Sequence, residues 1–168
     1  MVNIGAFTFQ FDAVEDRIRL IGNLDNGQPR IDFWLTRRLA KLLLDAGNQL
    51  VQKTSRRVSE SPPEYKDATA QFEHEQAKAV LEASNRPVPV DTEHEPALLH
   101  RIDFSFKDSR YRLRLFGHDA PDEAAAFSVL TYPELHQVLH LVHTGCDILK
   151  WDISEPFSAF AGNPAQLQ

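Results

Sequence analysis

Hydrophobic and polar residues alternate with a period of two in several short stretches of this chain. Phe7, Phe9 and Phe11 are separated by Thr8 and Gln10, the pattern of a strand with one buried face. After a polar turn over Asp12–Asp16, Arg17-Ile18-Arg19-Leu20 alternates again, which puts both arginines on the face opposite Ile18 and Leu20. Asn26-Gly27, a tight-turn dipeptide, leads into a third strand over Arg30–Leu35. Thr36 is placed to cap a helix running through RRLAKLLLDAGNQLVQKT.

The order then recurs. Ile102, Phe104 and Phe106 predict a strand, Lys107-Asp108-Ser109 a turn, Tyr111, Leu113 and Leu115 the inward positions of a second strand, and Phe127–Leu130 a third. Thr131 precedes a helix from about Pro133 to Lys150, with Pro133 in the favoured first turn. Phe7–Gly22 aligns without gaps on Ile102–Gly117, 95 residues later, with six of 16 positions identical: Phe9/Phe104, Phe11/Phe106, Arg17/Arg112, Arg19/Arg114, Leu20/Leu115 and Gly22/Gly117. Unrelated segments of average composition would share roughly one. At the same offset Leu35-Thr36 falls on Leu130-Thr131, so strand register is expected to carry across. In the helices, Ala40, Leu43, Leu44 and Val51 fall on Leu135, Val138, Leu139 and Cys146, whereas Lys41, Asp45, Asn48 and Gln52 fall on His136, His140, His143 and Asp147.

The fold class expected is therefore α+β: internally duplicated β-β-β-α units with pseudo-twofold symmetry, forming antiparallel sheet packed with helices, with one extra helix inserted between the units. One domain spans 1–168, divided into 6–54, an acidic linker with a helix at 58–98, 99–151, and a tail at 152–168. In the linker, Ser59–Pro63 is a break, and Lys66–Ala83 reads as a helix with a thin apolar stripe of Phe72, Ala79, Val80 and Ala83. Arg86–Pro96, with three prolines, is extended.

Composition narrows the function classes. No apolar run approaches the roughly 18 residues that cross a bilayer, and the single cysteine, Cys146, excludes a disulfide framework; a cytoplasmic setting without membrane attachment is expected. A net charge of −6 opposes non-specific coating of nucleic acid. The distribution is uneven: residues 58–98 carry 3 Lys/Arg against 9 Asp/Glu, whereas residues 1–57 carry 9 against 6. The seven glycines are too dispersed for a phosphate-cradling loop, neither Gly-x-Ser-x-Gly nor His-Glu-x-x-His occurs, and no cofactor is implied. Cys146 lies on the apolar helix face, as a packed thiol rather than a nucleophile. His94, between Glu93 and Glu95, sits in a Pro-flanked linker without the burial that tunes acid–base groups.

Two constellations remain. His136, His140, His143 and Asp147 fall within about 60° of one helical face, a donor set that suits a transition metal; the same angles place them opposite Leu135, Val138 and Val142, as an outward polar face. Arg17 and Arg19, with Arg110, Arg112 and Arg114, sit on outer strand faces that pseudo-twofold symmetry would join into one basic strip for phosphates, with Trp34 or Tyr111 as a stacking platform. The alternative is pairing with Asp12, Asp32 or Asp103. Arg37-Arg38 and Arg56-Arg57 bracket the first helix; the first pair, at a helix N-terminus where positive charge opposes the macrodipole, is expected to pair with Glu60, Glu64 or Asp67.

In element order the chain resembles the duplicated β-then-helix modules of the purine-rich-element-binding and whirly type, which bind single-stranded nucleic acid, although those have an extra strand per unit. It also resembles the head domain of the end-joining scaffolds and the centriolar cartwheel protein, which continues into a coiled coil. No functional residue carries over from either. The expectation is a non-enzymatic interaction, scaffold or accessory-subunit domain with a protein partner or as a homodimer; single-stranded nucleic-acid binding comes second and metal binding third.

Overall fold

A computed structural model describes residues 1–81 and 93–157. Ala83, most of the Arg86–Pro96 stretch and the tail beyond Phe157 lie outside the described residues, as does the side chain of Val80. The strands are β1 (Val2–Asn3), β2 (Phe7–Asp12), β3 (Arg17–Gly22), β4 (Ile31–Leu35), β5 (Ala97–Lys107), β6 (Arg110–Gly117) and β7 (Ala126–Leu130); the helices are α1 (Arg37–Thr54), the short α2 (Arg56–Glu60), α3 (Lys66–Leu81) and α4 (Tyr132–Ile148). They build a mixed α+β structure around one seven-stranded sheet ordered β1-β7-β6-β5-β4-β3-β2.

Alternation decides the registers. Phe9 faces Leu20 and Phe11 faces Ile18 across β2 and β3, while Leu20 faces Phe33 and Ile18 faces Leu35 across β3 and β4, so the apolar set shares one face. The same holds where Phe104 faces Leu113 and Leu113 faces Ser128. The first hairpin turn is held by the Asp12 carboxylate, which accepts from the Val14 and Glu15 N–H groups at 2.9 Å each. The second is a two-residue turn with Asp108 and Ser109 both at positive φ. Gly27 also has positive φ, but its loop is wider than a tight turn and is organised by buried Asn23. The Asn23 amide accepts from Gly5 N–H at 2.9 Å and donates to the carbonyls of Asn3 and Pro29.

Within each three-strand set the pairing is antiparallel, but the sets join in parallel. Phe33 and Trp34 pair with Ala97 and Leu98, and Val2 and Asn3 pair with Ala126 and Phe127. β5 thus begins five residues before Ile102, inside the stretch expected to be linker. β1 and β2 stand at opposite ends of the strand order, which in a flat sheet is on the order of 29 Å. The links from Asn3 to Phe7 reach at most about 14 Å; the sheet is therefore curled until its ends approach.

Thr36 caps α1 and Thr131 caps α4, the latter in a capping box with Glu134, whose carboxylate accepts from Thr131 N–H at 2.7 Å. One expectation needs correcting here. The first-half pair Leu20–Phe33 would become Leu115–Ser128 at offset 95, whereas Leu115 faces Ala126. The slip is two residues, which preserves every side chain's face.

Each helix packs on the opposite strand set: α1 lies on β5, and α4 lies on β2. Leu39, Ala40, Leu43, Leu44 and Val51 of α1 and Leu135, Val138, Leu139, Val142 and Cys146 of α4 fill the core. Close approach depends on two glycines. A Cβ at Gly47 would lie 2.6 Å from Leu139, and one at Gly145 would lie 2.6 Å from both Ile18 and Phe11. Gly145→Val is expected to lower stability by roughly 1–3 kcal/mol through overpacking, read as a drop in the urea midpoint. An unchanged midpoint would show that α4 does not seat on β2 and β3 as described.

Candidate functional site

The structure overturns the exposure expected of the α4 histidines. α3 buries Ala70, Glu73, His74 and Ala77, an i, i+3, i+4, i+7 stripe, while Phe72 of the expected apolar stripe is 53% exposed. This stripe lies on α4, so His136 is fully buried and His143 nearly so. Face does not match face between the helices: Lys41 and Asp45 of α1 stay exposed as an i, i+4 ion pair.

At the seam, His74 Nδ1 and His136 Nδ1 are 3.0 Å apart, a separation that requires one ring to donate and the other to accept. The His140 ring stands edge-on to His74 at 6.1 Å, Tyr132 stands edge-on to His136 at 4.4 Å, and Phe157 covers both His74 and His136. Among the described residues, His74 Nε2, His136 Nε2 and His140 Nδ1 have no hydrogen-bond partner. Charged groups ring the cluster. The Glu73 carboxylate accepts from the Tyr132 hydroxyl and from Ser55 Oγ at 3.2 Å, with Arg57 at 3.7 Å. Lys78 bridges Glu75 and Glu155 at 3.1 and 2.8 Å.

Burial sets the titration of these groups. It pushes His74 down to about 4, with nearby Lys78 adding to the effect, and His136 down to about 3, with His74 adding. His140 is lowered for the same leading reason. Burial and the Glu73 carboxylate raise Tyr132. The cluster is a stack of neutral imidazoles at neutral pH.

The four candidate metal ligands do not converge. His136 and His140 turn to His74, the His143 Nε2–H donates to the Ile153 carbonyl at 3.0 Å, and Asp147 is mostly exposed, 3.5 Å from His143 Nδ1. Among the described residues, no group of three or more His, Cys, Asp or Glu side chains is arranged to hold a metal ion. His74 was the residue missed. Its only sequence signal is the small-residue spacing of Ala70 and Ala77 around it, which permits close helix approach.

The arginines divide between the two strand sets. Arg19 is buried rather than outward: its guanidinium donates to Asp32 at 2.6 and 2.9 Å and to the His94 carbonyl at 2.7 Å, and Arg30 donates to the same carboxylate at 2.8 Å. Burial by itself would raise Asp32; hydrogen bonds from Arg30 and Arg19 outweigh it and hold the carboxyl below its ordinary value. Arg17 stands opposite Asp12, and Trp34, opposite Arg19, is half-buried. On β6, by contrast, Arg110, Arg112 and Arg114 are exposed. Arg114 reaches Asp103 at 3.3 Å, and Arg112 lies over the Phe127 ring at 5.5 Å. β4 and β5 separate β3 from β6, so the expected single strip is two unlike surfaces.

The pairing expected of Arg37 and Arg38 is not what the structure shows: both are exposed, and Glu60 pairs with Arg56 of its own helix at 2.8 Å. Cys146 is buried, and burial pushes its thiol up to about 11, the state of a packed side chain.

No protein-family model, curated protein or solved structure matches this chain.

Two outcomes follow from this geometry. His74 and His136 titrate lower folded than unfolded, so their stabilisation is complete above about pH 6.5 and is lost as pH falls towards 4. The urea midpoint is expected to fall over this range more steeply in the native protein than in His74→Leu/His136→Leu; equal slopes would refute the neutral stack. Asp32→Asn, which leaves Arg19 and Arg30 without their shared carboxylate, is expected to cost on the order of 3 kcal/mol. A loss below about 0.5 kcal/mol, the size of an ordinary surface substitution, would contradict the buried network.

Proposed function

We propose that this chain is a non-enzymatic interaction module made of two equivalent β-β-β-α halves, one serving as frame and the other presenting the binding surface. Several contacts support the duplication and its pseudo-twofold relation. The parallel joint of β4 with β5 is mirrored by that of β7 with β1. Residues 4–6, where the chain breaks between β1 and β2, align at offset 95 with the irregularity between Leu99 and Arg101 in β5. α1 lies on β5 as α4 lies on β2. Tyr111 and Asp16, equivalent at that offset, each hold the end of the other half's helix: Tyr111 hydroxyl meets Thr54 Oγ1 at 2.8 Å, and Asp16 accepts from Trp151 Nε1–H at 2.7 Å.

The observation that carries the function is the inequality of the outer faces. In the first half Asp32 and the His94 segment engage Arg19. In the second, Arg110, Arg112 and Arg114 stay exposed on a chain whose net charge is −6. A local basic face on an acidic protein selects an acidic partner and orients it. The reading includes a cytoplasmic setting, with Cys146 as a buried free thiol. A protein partner is favoured; single-stranded nucleic acid on the same face is the second reading, supported by the arginine row beside half-buried Phe127.

Arg110→Glu/Arg112→Glu/Arg114→Glu changes exposed positions, so folding is expected to survive. A tagged chain should co-purify a partner from its host that the triple variant loses, and equal capture by both would overturn this reading. Salt-sensitive binding of labelled single-stranded DNA or RNA, lost in the same variant, would instead establish the second reading.

A further inference from the structure

The second half carries a further feature on the side where β5 faces α1. Beyond Leu98, β5 pairs with β6 on one side and, among the described residues, with no strand on the other. Along this open side lies a groove. A cavity of about 300 Å³ is floored by Leu39, Leu42, Leu43 and Ala46 of α1 and by Ile102 and Phe104 of β5. A second, of about 430 Å³, shares Ala46, Ile102 and Phe104 and continues past Leu50 to Lys53. These volumes lie in the lower part of the range for ligand pockets, about 300–1,000 Å³. Leu42, in the floor, is 51% exposed.

At the matching place in the first half the helix packs closely on the strands among the described residues. There α4 sits directly on β2 and β3 because Gly145 allows contact with Phe11 and Ile18. Leu50 occupies the position equivalent to Gly145 at offset 95, and it lines the second cavity. The rim of the groove is basic: Arg38 and Arg101 border the first cavity, Lys53 and Arg114 the second. Against these four cations stands Asp103, already paired with Arg101 at 3.2 Å and Arg114 at 3.3 Å. Arg101 and Arg114 also belong to the outer basic face, so groove and face are continuous around the open side of β5.

We infer that this groove is the docking site for an acidic polypeptide segment bearing large aliphatic or aromatic side chains. The inference deepens the interaction-module reading and rests on it. Apolar side chains of the segment enter between Leu42, Ala46, Ile102 and Phe104, and its carboxylates meet Arg38, Arg101, Lys53 and Arg114. Gln49, His100 and Asp103 also line the cavities, but the floor is mostly hydrocarbon, which suits aliphatic and aromatic side chains, so the occupant is a polypeptide and not a nucleic acid. Charge complementarity makes binding salt-dependent, whereas the apolar anchors supply most of the affinity.

The test uses the full chain and two fluorescein-labelled peptides of equal length and charge, one alternating Glu with Leu and Phe, the other alternating Glu with Ser. Fluorescence anisotropy at low salt is expected to show at least about tenfold tighter binding of the Leu/Phe peptide, a difference of roughly 1.4 kcal/mol. Leu42→Glu, at a half-exposed position, should abolish that preference while leaving thermal unfolding unchanged. Val14→Glu, on a turn where Val14 is 95% exposed, should leave it intact. Equal binding of both peptides, or a preference that survives Leu42→Glu, would overturn the groove while leaving the basic-face reading standing. Failure of both peptides to bind, together with no partner lost from the triple arginine variant, would overturn both.

Discussion

The two three-strand sets meet in ladders of two residues each, Phe33-Trp34 against Ala97-Leu98 and Val2-Asn3 against Ala126-Phe127. Parallel ladders this short supply little hydrogen-bond energy, and among the described residues most of β5 and β2 has no strand neighbour on one side. The helices must therefore hold the sets together, which is why each crosses from its own set to the other. That crossing sets the remaining demands on the sequence. α1 and α4 approach within glycine distance at Gly47 and Leu139, α4 needs Gly145 to reach Phe11 and Ile18, and each helix end is tied to the opposite hairpin through Tyr111 or Asp16.

With the sheet curled around them, α1 and α4 each keep one face turned away from the strands. For α1 that face is solvated, with Lys41 and Asp45 paired across one turn. For α4 it is covered by α3, and the cover is polar where cores are usually hydrocarbon. Glu73 takes the Tyr132 hydroxyl, and His74 shares one proton with His136. A buried polar seam of this kind contributes modestly to stability and strongly to alignment, because any sliding of α3 along α4 breaks several interactions at once. The ring nitrogens without a partner among the described residues are its cost, and burial keeps the cluster in its neutral form.

The two strand sets differ on their outer faces. On β3, Arg19 keeps to the face opposite Ile18 and Leu20 but is covered there, donating to Asp32 and to the His94 carbonyl. On β6, Arg110, Arg112 and Arg114 are exposed, and a groove opens between β5 and α1. The carboxylate within reach differs as well: Asp32 is buried, whereas Asp103 beside Arg114 is partly exposed.

Local chemistry, legible in the residues themselves, determined the elements: the Phe alternation, the Thr36 and Thr131 caps, the hairpin turns and the buried faces of α1 and α4 all follow from interactions within a few residues. It did not determine what each element meets. The α4 histidines read as an outward face because their angles oppose Leu135 and Val138, and no local signal says that a helix from another part of the chain lies on them. α3 read as turning Phe72 inward because the eye follows large apolar residues, whereas small Ala70 and Ala77 permit the approach and His74 supplies the contact. Arg19 and Arg114 align at offset 95 in strands that share four of six residues, yet one is buried against Asp32 and one is exposed, because Asp32 and the His94 carbonyl are brought in by the fold. Periodicity fixes which side of a strand or helix a residue occupies; only the tertiary arrangement decides whether that side meets water, an ion pair or another helix.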